Sequence, residues 1–312
     1  MTYKHVSAMP DEVLYYLDLQ PGKIYVDGTL GGCGHAGEIL SKTGPDGKLI
    51  GIDQDMDAIE NAREVLKDYK DRVTLVHDNF ANLPEILTNM GIKGVDGILI
   101  DIGLSQHQLS GSGRGFSFQK DEPLDMRMNV QNEQTAEYLV NNLSEKELVD
   151  IFFKYGEEKF SRRVAKNIIR IRDEKPITTS LELAEIVSSS IPVKNKVKSK
   201  IHPATRVFQA LRIAVNEELT RLTSFMDSFH EYLNPGGRLC VLTFHSLEDR
   251  IVKRKIRELE IDCVCPKDFP KCVCDKEQTV KGLTRKVVKP SAKEVEANPM
   301  ARSTKLRAAE KL

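Results

Sequence analysis

Ile24-Tyr25-Val26-Asp27-Gly28-Thr29-Leu30-Gly31-Gly32-Cys33-Gly34-His35-Ala36-Gly37 runs from an apolar strand through an acidic residue into a glycine-rich loop. Gly32-Cys33-Gly34-His35-Ala36-Gly37 matches G-x-G-x-x-G literally, and Asp53 follows 21 residues after Gly32. Read alone, this is the fingerprint of a nicotinamide-dinucleotide site. Its context argues otherwise. In such a site the first glycine follows the strand almost directly, so that the pyrophosphate rests on the helix N-terminus. Here Asp27 through Gly31 intervene and set a carboxylate at the strand end. Two like charges about 5 Å apart in a partly desolvated site repel by several kcal/mol. The carboxylate therefore disfavours a pyrophosphate and suits a ligand that carries a sulfonium and an α-ammonium group. Glycines are still needed where such a ligand lies against the backbone.

Outward from this stretch the first 110 residues alternate strands with amphipathic helices. Pro10 opens a short helix to about Gln20, and Leu49–Ile52, Val73–Val76 and Gly97–Ile100 repeat the apolar run of Ile24–Val26. Asp55 or Asp57 caps a helix to about Tyr69, and another lies near Leu83–Met90. Strands separated by helices at this spacing pair in parallel, which predicts a doubly wound α/β sheet. The rhythm stops near Thr135. Ala136–Asn141, Glu145–Tyr155, Phe160–Asp173 and Leu181–Ser188 read as helices, followed by a helical stretch over Val207–Tyr232. Asn234-Pro235-Gly236-Gly237 then turns into an apolar strand, Arg238–Phe244, and short strands at Arg285–Val288 and Lys305–Leu306 are placed to finish the sheet antiparallel. The predicted organisation is a sheet domain over 1–130 and 205–312, interrupted by a helical domain over 131–204.

Ligands bind such sheets at the carboxyl ends of the strands, beside the switch in strand order. Asp27, Asp53 and Asp101 end three of the predicted strands, and His77-Asp78-Asn79-Phe80 follows the fourth. Asp53 is placed to accept hydrogen bonds from both ribose hydroxyls, Phe80 to stack on or pack against a purine, and Asp78 or Asn79 to bond its edge. Four acidic or amide-bearing strand ends on one rim fit a cationic nucleoside ligand.

Charge is balanced overall, 46 Lys and Arg against 46 Asp and Glu, but its distribution is uneven. Residues 1–110 hold 9 basic and 17 acidic side chains, whereas residues 159–206 hold 12 basic and 4 acidic. The second segment is either a solvated face or a patch for a polyanion. No apolar run reaches signal-peptide or membrane-span length, which predicts a soluble, cytoplasmic protein without a membrane partner.

Blocks distributed along nearly the whole chain resemble the bacterial small-subunit rRNA (cytosine-N4)-methyltransferase family. They are Val26–His35, Asp101–Gln108, Arg114-Gly115-Phe116-Ser117-Phe118, Pro123–Met128, Phe153–Glu158, His202–Arg212, Thr243–Arg250 and Ala301–Arg307. The resemblance implies a class I, Rossmann-like methyltransferase sheet with an inserted all-helical domain, S-adenosyl-L-methionine as cofactor, and the small ribosomal subunit or its rRNA as partner. It implies a cofactor site made of Cys33, Gly34, His35, Asp53, Phe80, Asp101 and Gln108. Where members commonly carry Ser-Ser-Pro-Gln, this chain has Ser105-Gln106-His107-Gln108, so the local loop path is expected to differ.

Cytosine N4 is a poor nucleophile because its lone pair is conjugated with the ring. Acceptors that hold both N–H bonds out of conjugation favour attack, and Asp101 is the natural candidate. The proline-aromatic continuation usual in amino methyltransferases is absent, since Ile102-Gly103-Leu104 follow; Phe116 or Phe118 is the alternative aromatic surface for a displaced base. His245, just beyond the strand Arg238–Phe244, is either a helix-entry residue or a group that contacts the substrate or takes the released proton. Arg162, Arg163, Lys166, Arg170 and Arg172, with Lys194, Lys196, Lys198 and Lys200, are candidates for phosphate contacts.

Cys263-Val264-Cys265 and Cys272-Val273-Cys274 form C-x-C-x6-C-x-C. Four thiolates suit tetrahedral zinc, but paired zinc cysteines usually have two or more residues between them. The spacing therefore favours free thiols in a surface loop and no metal. Two other readings of the chain are a nicotinamide-dependent dehydrogenase and a noncatalytic RNA-binding protein on a methyltransferase scaffold.

Overall fold

The apolar runs of the first 110 residues become the parallel core of a seven-stranded sheet. The computed structural model describes residues 7–192, 201–266 and 271–312. Its parallel strands are β1 (Ile24–Asp27), β2 (Lys48–Asp53), β3 (Val73–His77), β4 (Val95–Asp101) and β5 (Leu233–Thr243). Two antiparallel strands, β6 (Val280–Gly282) and β7 (Lys305–Lys311), complete the order β3-β2-β1-β4-β5-β7-β6. The order reverses between β1 and β4, which is the switch point where such sheets bind ligands. This is the class I methyltransferase arrangement, as expected.

Burial on both faces explains the near-continuous apolar strands. Alternate residues divide the core in two. Tyr25, Leu49, Leu99 and Leu242 pack against α1 (Pro10–Leu17), α2 (Gly34–Lys42) and α3 (Met56–Val65). Val26, Ile50, Ile98, Ile100 and Val241 face the other way, towards α4 (Leu83–Asn89) and two later helices of the same unit. Asp55 is the cap of α3, its carboxylate accepting from Asp57 N. No helix among the described residues is long and apolar enough to cross a membrane.

The chain separates into two units. One runs to Gly103 and resumes at Leu219; the other is Leu104–Glu218. The helical unit is thus longer than the expected 131–204 at both ends. Its helices are α5 (Gln106–Ser110), α6 (Ala136–Asn142), α7 (Glu145–Gly156), α8 (Ser161–Arg172), α9 (Ser180–Ser190) and α10 (Thr205–Asn216). The reason for the longer span is packing. Phe116, Leu124, Met126 and Met128, upstream of the expected boundary, and Val207, Phe208 and Leu211, downstream of it, lie in one apolar core with Leu148, Phe152 and Ile168. Gly156 shows how tightly α7 meets α10: a Cβ there would stand 2.5 Å from Arg206 O.

Three further boundaries differ from expectation. The helical stretch 207–232 is two helices, α10 and α11 (Glu218–Ser228), broken at Glu217 in the left-handed region with φ 52°. No glycine or proline marks that break, so periodicity alone could not reveal it. Asn234–Gly237 lies inside β5 as a bulge, with the register moving from Val95↔Leu233 to Gly97↔Arg238. Arg285–Val288 is not a strand: Val288 makes a single bridge to Leu306, and the edge strand is Val280–Gly282, anchored by the fully buried Val280. The last helices are α12 (Ser246–Glu260) and α13 (Ala292–Ala297).

Asn216 holds the segment before α6 in place. Its side chain accepts from Met128 N at 2.7 Å and donates to Met126 O at 2.8 Å, and it is 1% exposed. Asn216→Ala leaves a buried donor and a buried acceptor unpaired, at about 1–3 kcal/mol each. We expect the variant to lose about 2–4 kcal/mol in the denaturant-induced unfolding of the helical unit. A loss below about 0.5 kcal/mol would show that water replaces both bonds.

Candidate active site

Three carboxylates gather at the carboxyl ends of β1, β2 and β4. The register explains why they share a face. Asp27 is level with Gly51 on β2 and with Leu99 on β4, so Asp53 and Asp101 lie two residues further along their strands. Two residues return a side chain to the same side of a sheet, about 6–7 Å onward. All three therefore emerge on the face covered by α1 and α2, at the rim where α2 begins.

The loop Gly28–Cys33 is tied to these groups by its backbone. Thr29 N donates to Asp27 Oδ1 at 3.1 Å, and Gly31 N donates to Asp53 Oδ2 at 2.9 Å. Asp53 Oδ1 accepts from Asp55 N at 2.9 Å. Asp101 N in turn donates to Thr29 Oγ1 at 2.7 Å, clipping the loop to the end of β4. Gly31 has φ +45°, a conformation L side chains rarely adopt, and here it aims the N–H at Asp53.

Burial dominates the electrostatics. It raises the Asp27 carboxyl well above the usual range against the opposing Thr29 N–H, with Asp101 and Asp53 adding to the rise. It raises Asp53 to about 6 despite the N–H groups of Gly31 and Asp55, and Asp101 to about 7, with Glu248 adding repulsion. Asp27 Oδ2 and Asp101 Oδ1 are buried and accept no hydrogen bond among the described residues. A rim of desolvated carboxylates with uncommitted oxygens is chemically matched to a ligand that brings positive charge and hydroxyl donors.

Of the predicted site residues in this unit, Gly34 and His35 open α2, and His35 Nε2 lies 3.8 Å from Asp101 Oδ2. Cys33 caps α2 in the left-handed region, φ 64°, with its thiol buried in the core and pushed up to about 12 by burial, Asp27 and Asp53. What Cys33 can offer a ligand is its backbone. Phe80 is 7% exposed and meets the Phe225 ring edge-on at 5.5 Å, so most of the ring is spent in the core. Asp78 and Asn79 have local partners: Asp78 Oδ1 accepts from Asn79 N and Asn82 Nδ2, and Asn79 caps Ala81 N while donating to Gln54 Oε1.

His245 is the helix-entry residue of α12. Its Nδ1 accepts from Glu248 N at 3.4 Å, its Nε2 lies 2.7 Å from Glu248 Oε1, and Glu248 Oε2 accepts from Phe244 N at 2.8 Å. Glu248 is fully buried and bears on Asp101. Sequence reasoning missed it as a site carboxylate, although the acidic residue three positions after a capping residue was the signal. It also missed Thr29, whose hydroxyl role depends on the chain folding back on β4.

In the helical unit, Gln108 is buried and closes a capping box on α5: its Oε1 accepts from Ser105 N at 3.0 Å, and Gln108 N donates to Ser105 Oγ. Phe116 is 6% exposed in the core beneath the Arg114 guanidinium, so it has no free face for a displaced base. Phe118 stacks on His202 at 4.5 Å and meets Phe208 edge-on. Lys194, Lys196, Lys198 and Lys200 lie outside the described residues. On α8, Val164, Ala165 and Ile168 face the core while Arg162, Arg163 and Lys166 are exposed. Arg170 pairs with Glu174, and Arg172 donates to Val140 O. Elsewhere in the sheet unit, the four clustered cysteines, read from their spacing as separate surface thiols, have their sulfurs within 4.8 Å of one another.

Comparison with known proteins places the chain in a family. Over 309 residues the chain is 58% identical to the ribosomal RNA small subunit methyltransferase H of Desulforapulum autotrophicum, covering 99% of each. It is 51% identical over 312 residues to the protein of that name from Desulfosudis oleivorans, covering 100% of each, and 50% identical over 310 residues to that from Citrifermentans bemidjiense, covering 99% of each. The model of the MraW methylase family matches residues 2–312, and the chain belongs to that family.

Proposed function

We propose that this methylase uses S-adenosylmethionine to methylate the N4 amino group of a cytosine in small-subunit ribosomal RNA. The observation that carries the reading is the rim of three carboxylates, Asp27 buried and Asp53 and Asp101 half-buried, in which Asp27 Oδ2 and Asp101 Oδ1 accept no hydrogen bond among the described residues. When bound, S-adenosylmethionine supplies an electrophilic methyl group on a sulfonium centre. Asp27 and the backbone of Gly31–Gly34 would hold its charged amino-acid end, and Asp53, with one lone pair on each oxygen already engaged, would accept from the ribose hydroxyls. Phe80 would supply apolar contact for the base, and His35 Nε2, 3.8 Å from Asp101 Oδ2, faces the same carboxylate. Gln108 is assigned to the cofactor by the family resemblance. A dinucleotide pyrophosphate has no counterpart in this negative rim.

Asp101 has the chemistry the amino group needs. Its Oδ1 can accept one N4–H bond and so draw the nitrogen lone pair out of conjugation with the ring. The nitrogen sheds a proton as it is alkylated, and a carboxyl raised to about 7 takes it near neutral pH at that oxygen. His245, engaged with Glu248, acts on Asp101 through the Glu248 charge. The relatives' names, which specify small-subunit ribosomal RNA, support the substrate class, and the exposed cations of α8 support a phosphate-contacting role for the helical unit.

Nucleoside mass spectrometry of ribosomal RNA from a deletion strain tests the reading. N4-methylcytidine, resolved chromatographically from its 5- and 3-methyl isomers, should fall at one site and return on complementation. Complementation with Asp101→Asn should restore about 100-fold less or still slower methylation. Loss of a different methylated nucleoside would overturn the N4 assignment.

The pH dependence follows from the carboxyl groups. Their ionised forms bind a cationic ligand, so affinity for S-adenosylmethionine rises with pH as the carboxyls, all raised by burial, ionise. It falls as pH drops through about 7 for Asp101 and then about 6 for Asp53, approaching tenfold per pH unit for each group. The ligand-free protein has the opposite sign: ionising these buried groups costs stability as pH rises from about 4 towards 7. Calorimetric titration of the ligand checks the first and thermal unfolding across the same range the second, and a flat affinity would remove the carboxylates from the site.

If α8 binds phosphates, changing Arg162, Arg163 and Lys166 together to Gln should flatten the salt dependence of RNA binding. The slope should drop by about 0.7–0.9 for each phosphate no longer neutralised, roughly 2 to 3 in all. Cofactor affinity should not move. An unchanged salt slope would make α8 only a solvated face.

A further inference from the structure

Between α12 and β6 the chain makes an excursion in which no described residue is buried. None of residues 261–266 and 271–279 is buried, and residues 267–270 lie outside the described segment. Its neck is closed by Thr279 N donating to Leu259 O at 3.0 Å. A connection of this length, with no helix, strand or buried residue among its described residues, needs some other source of order. Sulfur is what the excursion brings together.

The sulfurs of Cys263, Cys265, Cys272 and Cys274 all lie within 4.8 Å of one another. Cys263–Cys272 and Cys272–Cys274 are 3.5 Å apart, Cys263–Cys274 3.9 Å and Cys265–Cys272 4.0 Å. A tetrahedron with metal–sulfur bonds of about 2.3 Å has edges of about 3.8 Å, and the four separations straddle that value. A disulfide requires about 2.05 Å, and all four cysteines are free.

The backbone also explains why a single intervening residue suffices. Val264 N donates to Cys274 Sγ at 3.4 Å, and Val273 N donates to Cys265 Sγ at 3.3 Å, so the middle residue of each C-x-C pair bonds a sulfur of the other pair. Cys265 N adds a third such bond, to Cys263 Sγ at 3.4 Å. The two pairs form a nearly two-fold knuckle whose N–H groups offset thiolate charge.

We propose that Cys263, Cys265, Cys272 and Cys274 are the four ligands of a tetrahedral zinc site that orders this excursion. Convergence of the sulfurs overrides the expectation, drawn from spacing, of free thiols and no metal. Four thiolates close the coordination sphere, which makes the site structural rather than catalytic. Binding free energy at such a site is folding free energy for the segment that carries the ligands.

The test uses the full-length protein and zinc itself, with readouts independent of methyl transfer. Elemental mass spectrometry after dialysis against zinc and then metal-free buffer should find one zinc per chain. The four thiols should resist alkylation until a chelator is added, and the cobalt-substituted protein should show the charge-transfer and ligand-field bands of a tetrathiolate. The double variant Cys263→Ser, Cys272→Ser should lose the metal while keeping its circular dichroism, because the excursion contributes nothing to the core. Substoichiometric zinc, alkylation equally fast with and without chelator, or zinc retained by the double variant would each overturn the proposal.

Discussion

Everything in the sheet unit turns on placing ionisable oxygen where water is scarce. Asp27, Asp53 and Asp101 end parallel strands whose buried residues are apolar, so their carboxylates sit at the boundary of a dry core. Desolvation favours the neutral acid, and mutual repulsion adds to it. The fold moderates that cost with a few backbone donors, Thr29 N and the N–H groups of Gly31 and Asp55, and leaves two oxygens uncommitted. The glycine loop is shaped to supply those donors. A conventional dinucleotide loop would offer its N–H groups to a phosphate; here they turn to carboxylates of the protein itself.

The same constraint reaches α12. Its first turn brings a buried carboxylate, Glu248, whose Oε2 accepts from the backbone N–H groups of Phe244 and His245 and whose Oε1 lies 2.7 Å from His245 Nε2. Asp249, the next residue, pairs with Arg307 of β7 at 2.6 Å and fixes the helix against the antiparallel end of the sheet. A single turn of helix thus links the carboxylate rim to the antiparallel strand β7.

The helical unit solves a different problem. Its helices are short, and its core is completed by segments of irregular chain, Phe116 and Leu124–Met128, held by the Asn216 amide and by the Arg127–Asp125 pair. Exposed cations collect on the outer face of α8, where an amphipathic pattern leaves them nothing to pair with in the core. Burial of Phe116 removes it from the aromatic surface that an RNA base could use, a consequence of packing that its place in an Arg-Gly-Phe-Ser-Phe block does not reveal.

By itself the sequence determined the parallel sheet, the helical interruption and the acidic strand ends. These rest on local periodicity, strand-end chemistry and turn residues, each readable within about ten positions. Residues such as Asp27, Asp53 and Asp101 were legible because a charged side chain at the end of an apolar run is conspicuous. Tertiary structure alone decided which of them share a face, since register between strands is a property of pairing. It also decided the extent of the helical unit, the break at Glu217, the commitment of Phe80 and Phe116 to the core, and the role of Glu248. The cysteines mark the division most sharply. Their spacing in one dimension argued against a clamp, whereas two crossed N–H···S bonds between distant pairs, which no linear spacing encodes, bring the four sulfurs to the separations of a tetrahedron.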